Sequence, residues 1–117
     1  MPRSSCASPA TPAKKIILDE NLPRPLKGIF PRHTVTTVQE EGLAGTVNGA
    51  LLARLEGVFD VFITADKNLR YQQNLSGRQL AILELPTNRL PLLRPLLPRI
   101  AAAVDAITPA AYVQLPA

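Results

Sequence analysis

The sequence has little of what disulfide-bonded, cysteine–zinc and membrane-spanning proteins are built from. It contains one cysteine, Cys6, so neither an internal disulfide nor a cysteine-based zinc site can form. No apolar run approaches the roughly 18 residues of a membrane-spanning helix. The N-terminus also lacks the apolar centre of a secretory signal. These absences exclude a membrane protein and suit a reducing compartment, so we expect a cytoplasmic protein.

Aromatic residues are also scarce, at 4% of the chain, so the core must be built from aliphatic side chains. A length of 117 residues with 46% hydrophobic and 19% charged residues is typical of one globular domain. Residues 1–13 carry almost no large apolar group, so we expect a disordered tail there and a single domain over 14–117. The net charge is +4, but the basic residues are scattered, and charge alone therefore does not indicate a nucleic-acid partner.

Apolar and alternating runs alternate with helix-like patterns along the rest of the chain. The runs predict five strands, over residues 14–21, 33–38, 60–66, 78–86 and 110–116, the last at a sheet edge. The patterns between them predict a short helix in 22–31, a helix over 46–57, a helix or turn over 67–77, and a long helix over 88–107. Pro95 and Pro98 should kink the long helix or make its first half irregular. This order predicts an α/β fold with an open, mostly parallel sheet and helices on both faces.

Two of these strands end in a carboxylate, Asp19 after the first strand and Asp66 after the third. If the sheet has the order 2-1-3-4-5, these strands are neighbours about 4.8 Å apart, and the acids meet at the carboxyl edge of the sheet. Two carboxylates so close raise one pKa unless a cation lies between them. Mg²⁺ or Mn²⁺ would suit such a pair and would activate water against a phosphodiester. The alternative is that each aspartate simply caps the following turn.

Polar side chains near the two acids complete the predicted site. They are Asn21, Thr64, Lys67, Asn68, Arg70 and Tyr71. The two asparagines would hold a metal-bound water or a phosphate, or close Asx turns. The threonine hydroxyl should face the same side as Asp66. The two basic residues would contact phosphate or be ordinary surface, and the tyrosine, in the stretch YQQN, would stack on a base or lock its loop. The single histidine, His33, is expected to be an ordinary loop or strand residue.

Three stretches of the chain resemble a family of small bacterial PIN-like proteins. They are ILDENLP (17–23), GLAGTVNGALL (42–52) and DVFITADKNLRYQQNLSGR (60–78), and the resemblance covers about residues 15–115. It implies a three-layer α/β/α sandwich. It also implies a Mg²⁺- or Mn²⁺-dependent ribonuclease of the kind found as the toxin of toxin–antitoxin pairs. By motif match, Asp19 and Asp66 would be metal-binding acids, Asn68 a supporting polar group and Glu20 an acid behind the metal ligands.

The chain departs from the family pattern just before the second helix. Relatives often have Ser-Asp-Glu-Glu there, whereas this chain has Val47-Asn48-Gly49-Ala50. Asn48 therefore stands where an acid is expected. An amide oxygen can coordinate a metal but contributes no charge, so we expect a lower affinity for divalent cations.

These observations lead to three hypotheses about function. The first is a PIN-like toxin-type ribonuclease that uses Mg²⁺ at Asp19 and Asp66. The second is a PIN-like protein that binds RNA or a protein partner without turnover. The third is a nucleotide-binding module. Such a module would need a glycine-rich phosphate loop after the first strand, and the sequence has none there. Expected partners are RNA, a cognate antitoxin protein and a second copy of the chain. Surplus apolar residues of the 88–107 helix would contact the antitoxin or the second copy.

Overall fold

The structure is a computed structural model that describes residues 13–46, 48–66 and 78–116. Its strands are β1 (Lys15–Leu18), β2 (Thr34–Thr37), β3 (Val61–Thr64), β4 (Ala81–Glu84) and β5 (Tyr112–Gln114). They form one five-stranded sheet in the order β2-β1-β3-β4-β5, and every neighbouring pair is parallel. The α/β class, the edge position of the last strand and the neighbouring positions of the first and third strands are confirmed.

Helical segments connect the strands. A 3₁₀ helix (Arg24–Ile29) follows β1, and α1 (Asn48–Leu55) lies between β2 and β3. After β4, α2 (Leu90–Leu93), a second 3₁₀ helix (Arg94–Leu96) and α3 (Leu97–Ala106) follow one another directly. The irregular first half that the prolines predict is confirmed, because Pro95 lies in the 3₁₀ turn and Pro98 in the first turn of α3. Among the described residues, no helix is long and apolar enough to cross a membrane.

The three central strands, β1, β3 and β4, are buried on both faces, and their successive apolar residues pack into two different apolar clusters. In β1, Ile16 and Leu18 belong to the first cluster and Ile17 to the second. The first cluster includes residues of the Arg24–Ile29 helix, α2 and α3, and the second includes three leucines of α1. Continuous apolar runs such as KIIL and VFIT form strands here because both sides of each strand meet apolar side chains. The sheet is thereby fixed from both sides, and the strand ends have defined positions.

A polar network ties the end of α3 to the amino ends of β1 and β2. The His33 ring is almost fully buried, and its Nδ1 accepts a 2.9 Å hydrogen bond from the Lys14 main-chain N–H. Its Nε2 lies 2.7 Å from Asp105 Oδ1 and donates to that carboxylate. The Arg32 guanidinium contacts the other carboxylate oxygen at 3.1 Å. The Lys14 ammonium donates to the carbonyls of Val104 and Asp105. His33 is thus a structural residue, and it lies away from the two strand-end acids.

Two sequence predictions fall outside the described part of the chain. The tail predicted over 1–13 does so except for Ala13, and the helix or turn predicted over 67–77 does so entirely.

The Asp105 network gives a pH-dependent test of stability. The hydrogen bond from His33, with the charge of Arg32, holds the pKa of Asp105 below its usual value although partial burial opposes this. The ionised form therefore stabilises the fold above the unfolded pKa of about 4, and this contribution is lost as the pH falls through the lower folded pKa. We expect Asp105→Asn to lower the free energy of unfolding at pH 7 by about 1 kcal/mol. Urea denaturation should show a smaller loss at pH 3; an equal loss at both pH values would contradict the assignment.

Candidate acidic pocket

A single buried hydroxyl joins the two strand-end acids. Asp19 follows β1 directly, and its main-chain N–H donates to Ile63 of β3 over 2.9 Å, which continues the β1–β3 pairing by one residue. Thr64, the last residue of β3, is fully buried. Its hydroxyl donates to Asp19 Oδ2 over 2.7 Å and accepts the main-chain N–H of Asp66 over 3.0 Å. The structure therefore brings Asp19, Thr64 and Asp66 together, as the strand-end argument predicts.

Asp19 and Asp66 open into a pocket of about 500 Å³ at the carboxyl edge of the sheet. Four of the predicted residues line it: Asp19, Glu20, Asn21 and Asp66. The predictions missed six others: Thr46, Leu51, Ala65, Pro86, Thr87 and Asn88. The last three come directly after β4, so the rule that polar groups follow parallel strands also applied to them. They were missed because the predicted fourth strand ends at Pro86 and the predicted long helix begins at Asn88, so no site was expected between them.

The described lining of the pocket is acidic. Three of its described lining residues are carboxylates, and none is basic. Burial raises the pKa of Asp19, hydrogen bonds from Thr64 and the Glu20 N–H oppose the rise, and the negative charges of Glu20 and Asp66 add to it. The expected rise in one pKa is thus present, but burial rather than repulsion is its main cause. A cation in this pocket would favour the ionised form of Asp19.

A divalent cation would have two acids of this pocket as direct ligands. The Glu20 carboxylate accepts the Gly45 N–H at 3.2 Å, and among the described residues no group of three histidine, cysteine, aspartate or glutamate side chains converges. Mg²⁺ keeps several waters and is commonly held by one or two carboxylates, so Asp19 and Asp66 fit it. Asn48 begins α1, and nothing is described of its side chain. The other predicted contacts, Lys67, Asn68, Arg70 and Tyr71, lie outside the described residues.

A further acid, Glu84, lies beside Thr64 in the sheet but has a structural role. It pairs with Thr64 across β3 and β4 and is 5% exposed. Its two carboxylate oxygens accept hydrogen bonds from the Tyr112 hydroxyl at 2.6 Å and the Gln114 amide at 3.1 Å. The described residues that line the pocket do not include it. Glu84 therefore attaches the edge strand β5, and its signal in the sequence was an acid inside the apolar run ILELP.

Comparison with known proteins gives no assignment: no protein-family model, curated protein or solved structure matches this chain.

The bridging hydroxyl can be tested by an isosteric substitution. Thr64→Val keeps the shape of the side chain but removes one of the two hydrogen bonds that lower the pKa of Asp19. We expect the pKa of Asp19 to rise further and the free energy of unfolding to fall by about 1–3 kcal/mol. Carbon NMR titration of the Asp19 carboxyl measures the first effect, and urea denaturation the second. Thr64→Ser, which keeps the hydroxyl, is the control; an unchanged Asp19 titration in the valine variant would contradict the bridge.

The raised pKa of Asp19 also predicts that this residue opposes folding at neutral pH. When the folded pKa is raised, stability is full below the unfolded pKa of about 4 and is lost as the pH rises through the folded pKa. Asp19→Asn removes that loss, so we expect this variant to be more stable than the parent at pH 7 by on the order of 1 kcal/mol. Denaturation at pH 4 and pH 7 should show the gain growing with pH. A variant less stable than the parent at pH 7 would refute this assignment.

Proposed function

We propose that this chain is a PIN-like, toxin-type ribonuclease that hydrolyses RNA phosphodiesters in the acidic pocket. The observation that carries the proposal is the Thr64 hydroxyl, which holds the Asp19 carboxylate and the Asp66 main-chain N–H just after neighbouring parallel strands, at the edge where ligands of such sheets bind. The strand-end cap hypothesis accounts less well for this arrangement, because the Asp19 carboxylate accepts from a side chain of another strand as well as from the next main-chain N–H.

The residues around the two acids have definable roles in such a reaction. Mg²⁺ or Mn²⁺ held by Asp19 and Asp66 would supply the activation of water for attack on phosphorus. Thr64 holds the Asp19 carboxylate in one orientation, since its single proton is donated to Oδ2. The Glu20 N–H fixes the second oxygen at 2.7 Å. Each oxygen retains capacity for a further ligand.

The negative charge of the pocket supports a requirement for a bound cation when an anionic substrate binds. Among the described lining residues, three are carboxylates and none is basic, so this part of the pocket would repel a phosphodiester, and a divalent cation would reverse the sign of that interaction. Neutral polar groups at the rim, Asn21, Thr87 and Asn88, would then meet the sugar and base of the RNA. The resemblance of residues 15–115 to PIN-like toxins supports the same substrate, a cytoplasmic site of action and a cognate antitoxin partner.

A second candidate function follows from the small number of acids. Asn48 stands in place of an acid, and among the described residues two acids, Asp19 and Asp66, are in position to bind a cation directly; with so few, the same fold would serve as a protein- or RNA-binding partner without turnover. The exposed Leu92 of α2 offers apolar surface to an antitoxin or a second copy of the chain.

Cleavage of a mixed RNA pool by the purified protein, with Mg²⁺ or Mn²⁺ and with chelator, tests the first proposal. We expect metal-dependent cleavage that Asp66→Asn lowers by at least about 100-fold, because losing a direct ligand should exceed the 10- to 100-fold loss typical of outer-shell partners. Asp60→Asn is a matched control, because Asp60 lies at the opposite end of the same strand and accepts the Lys15 N–H.

The outcomes separate the two functions. Cleavage that is equal in the parent and Asp66→Asn would identify a contaminating nuclease and refute the metal-dependent reaction. Absence of cleavage, together with retained binding of RNA or of a protein partner, would favour the second function.

A further inference from the structure

One residue beside the pocket, Glu20, contacts both ends of the loop between β2 and α1. The Gln39 side-chain amide donates to the Glu20 main-chain carbonyl over 2.9 Å. The Gly45 N–H donates to the Glu20 carboxylate Oε1 over 3.2 Å. We call residues 39–45 the clamped loop, because its first and last residues are held by the same partner.

The clamped loop has a conformation of its own that places Gly45 for this contact. Gly42 and Gly45 have φ values of 75° and 82°, in the left-handed region where a side chain would be strained. Leu43 packs against the second apolar cluster, and its N–H donates to the Val38 carbonyl over 2.9 Å. The loop then continues into Thr46, which lines the pocket. A displacement of Gly45 would therefore move a wall of the pocket.

Glu20 is equally connected to the acids. Its main-chain N–H donates to Asp19 Oδ1 over 2.7 Å, and its side chain lines the same pocket as Asp19 and Asp66. The Glu20 carboxylate is thus within electrostatic range of the acids while its hydrogen bond is made to the loop.

We propose that Glu20 is a positioning residue that couples the acidic pocket to the clamped loop. A divalent cation between Asp19 and Asp66 attracts the Glu20 carboxylate, and this attraction competes with the single exposed hydrogen bond to Gly45. Binding of the cation therefore loosens the loop at Gly45 and frees Thr46 to move with it. The coupling rests on the cation site of the proposed function. The clamp, meaning the two hydrogen bonds between Glu20 and the loop, does not depend on that site.

The coupling sets a weak hydrogen bond against a stronger electrostatic attraction. An exposed hydrogen bond to a main-chain N–H changes an opening equilibrium by only about 2- to 10-fold. A divalent cation in the pocket that Glu20 also lines acts on the same carboxylate with two charges of opposite sign. A ligand shifts a conformational equilibrium by its difference in affinity for the two states. Here the cation binds more tightly to the state in which the Glu20 carboxylate has left the Gly45 N–H.

The test is the hydrogen exchange rate of the Gly45 amide, read by NMR with and without Mg²⁺ in three forms of the full chain. Glu20→Gln keeps an oxygen acceptor but has no charge, and Glu20→Ala has neither. Without Mg²⁺ we expect Gly45 exchange in the glutamine variant to remain within about 2-fold of the parent. In the alanine variant it should be about 5-fold faster. With Mg²⁺, exchange should accelerate in the parent and remain unchanged in the glutamine variant.

Each result decides one part of the proposal. Equal Gly45 exchange in Glu20→Gln and Glu20→Ala would overturn the clamp. Mg²⁺ that shifts the Asp19 carboxyl resonance without changing Gly45 exchange in the parent would overturn the coupling. Mg²⁺ that shifts neither would overturn the coupling together with the cation site of the proposed function, while the comparison of the two variants would still decide the clamp.

Discussion

The parallel pairing of β1 with β3 is the constraint on which the rest of the site depends. Its register places Leu18 opposite Ile63, so the next residues, Asp19 and Thr64, face the same side of the sheet and reach one another. A slip of one residue would turn one of the two side chains to the opposite face. The apolar residues of both strands forbid such a slip, because the first three side chains of β3 and the last three of β1 are buried in one cluster or the other. Core packing thus determines where the hydroxyl meets the carboxylate.

The environment of Asp19 destabilises the fold and also distinguishes this residue as part of the candidate site. Burial and neighbouring negative charge disfavour the ionised form of Asp19, and the Thr64 hydroxyl and the Glu20 N–H offset only part of this. Strained or destabilised groups of this kind are concentrated at functional sites. By contrast, the buried Glu84 has both oxygens satisfied by neighbouring side chains of β5. Asp19 opens into the pocket, whereas Glu84 is enclosed by its partners. This difference distinguishes an acid of the candidate site from an acid that only stabilises the fold.

Most of the fold was predictable from the sequence because the strands are short continuous apolar runs and the helices carry periodic leucines. The prolines of the 88–107 segment predicted its irregular first half correctly. Asp19 and Asp66 were predictable because each comes at the end of such a run, and strand order then decided their proximity. The side-chain direction of Glu20 was not predictable, because it depends on a loop that folds back from β2. The role of His33 was equally hidden, since its partner Asp105 lies 72 residues away in sequence.

The central claim is that Asp19 and Asp66 form one cation site. The most direct measurement follows the carboxyl carbon resonances of both residues by NMR while Mg²⁺ is added to the parent protein. We expect both resonances to shift with the same midpoint in the parent, and the Asp66 resonance not to shift over that range in Asp19→Asn. Independent midpoints, or a shift of only one carboxyl in the parent, would contradict a shared site.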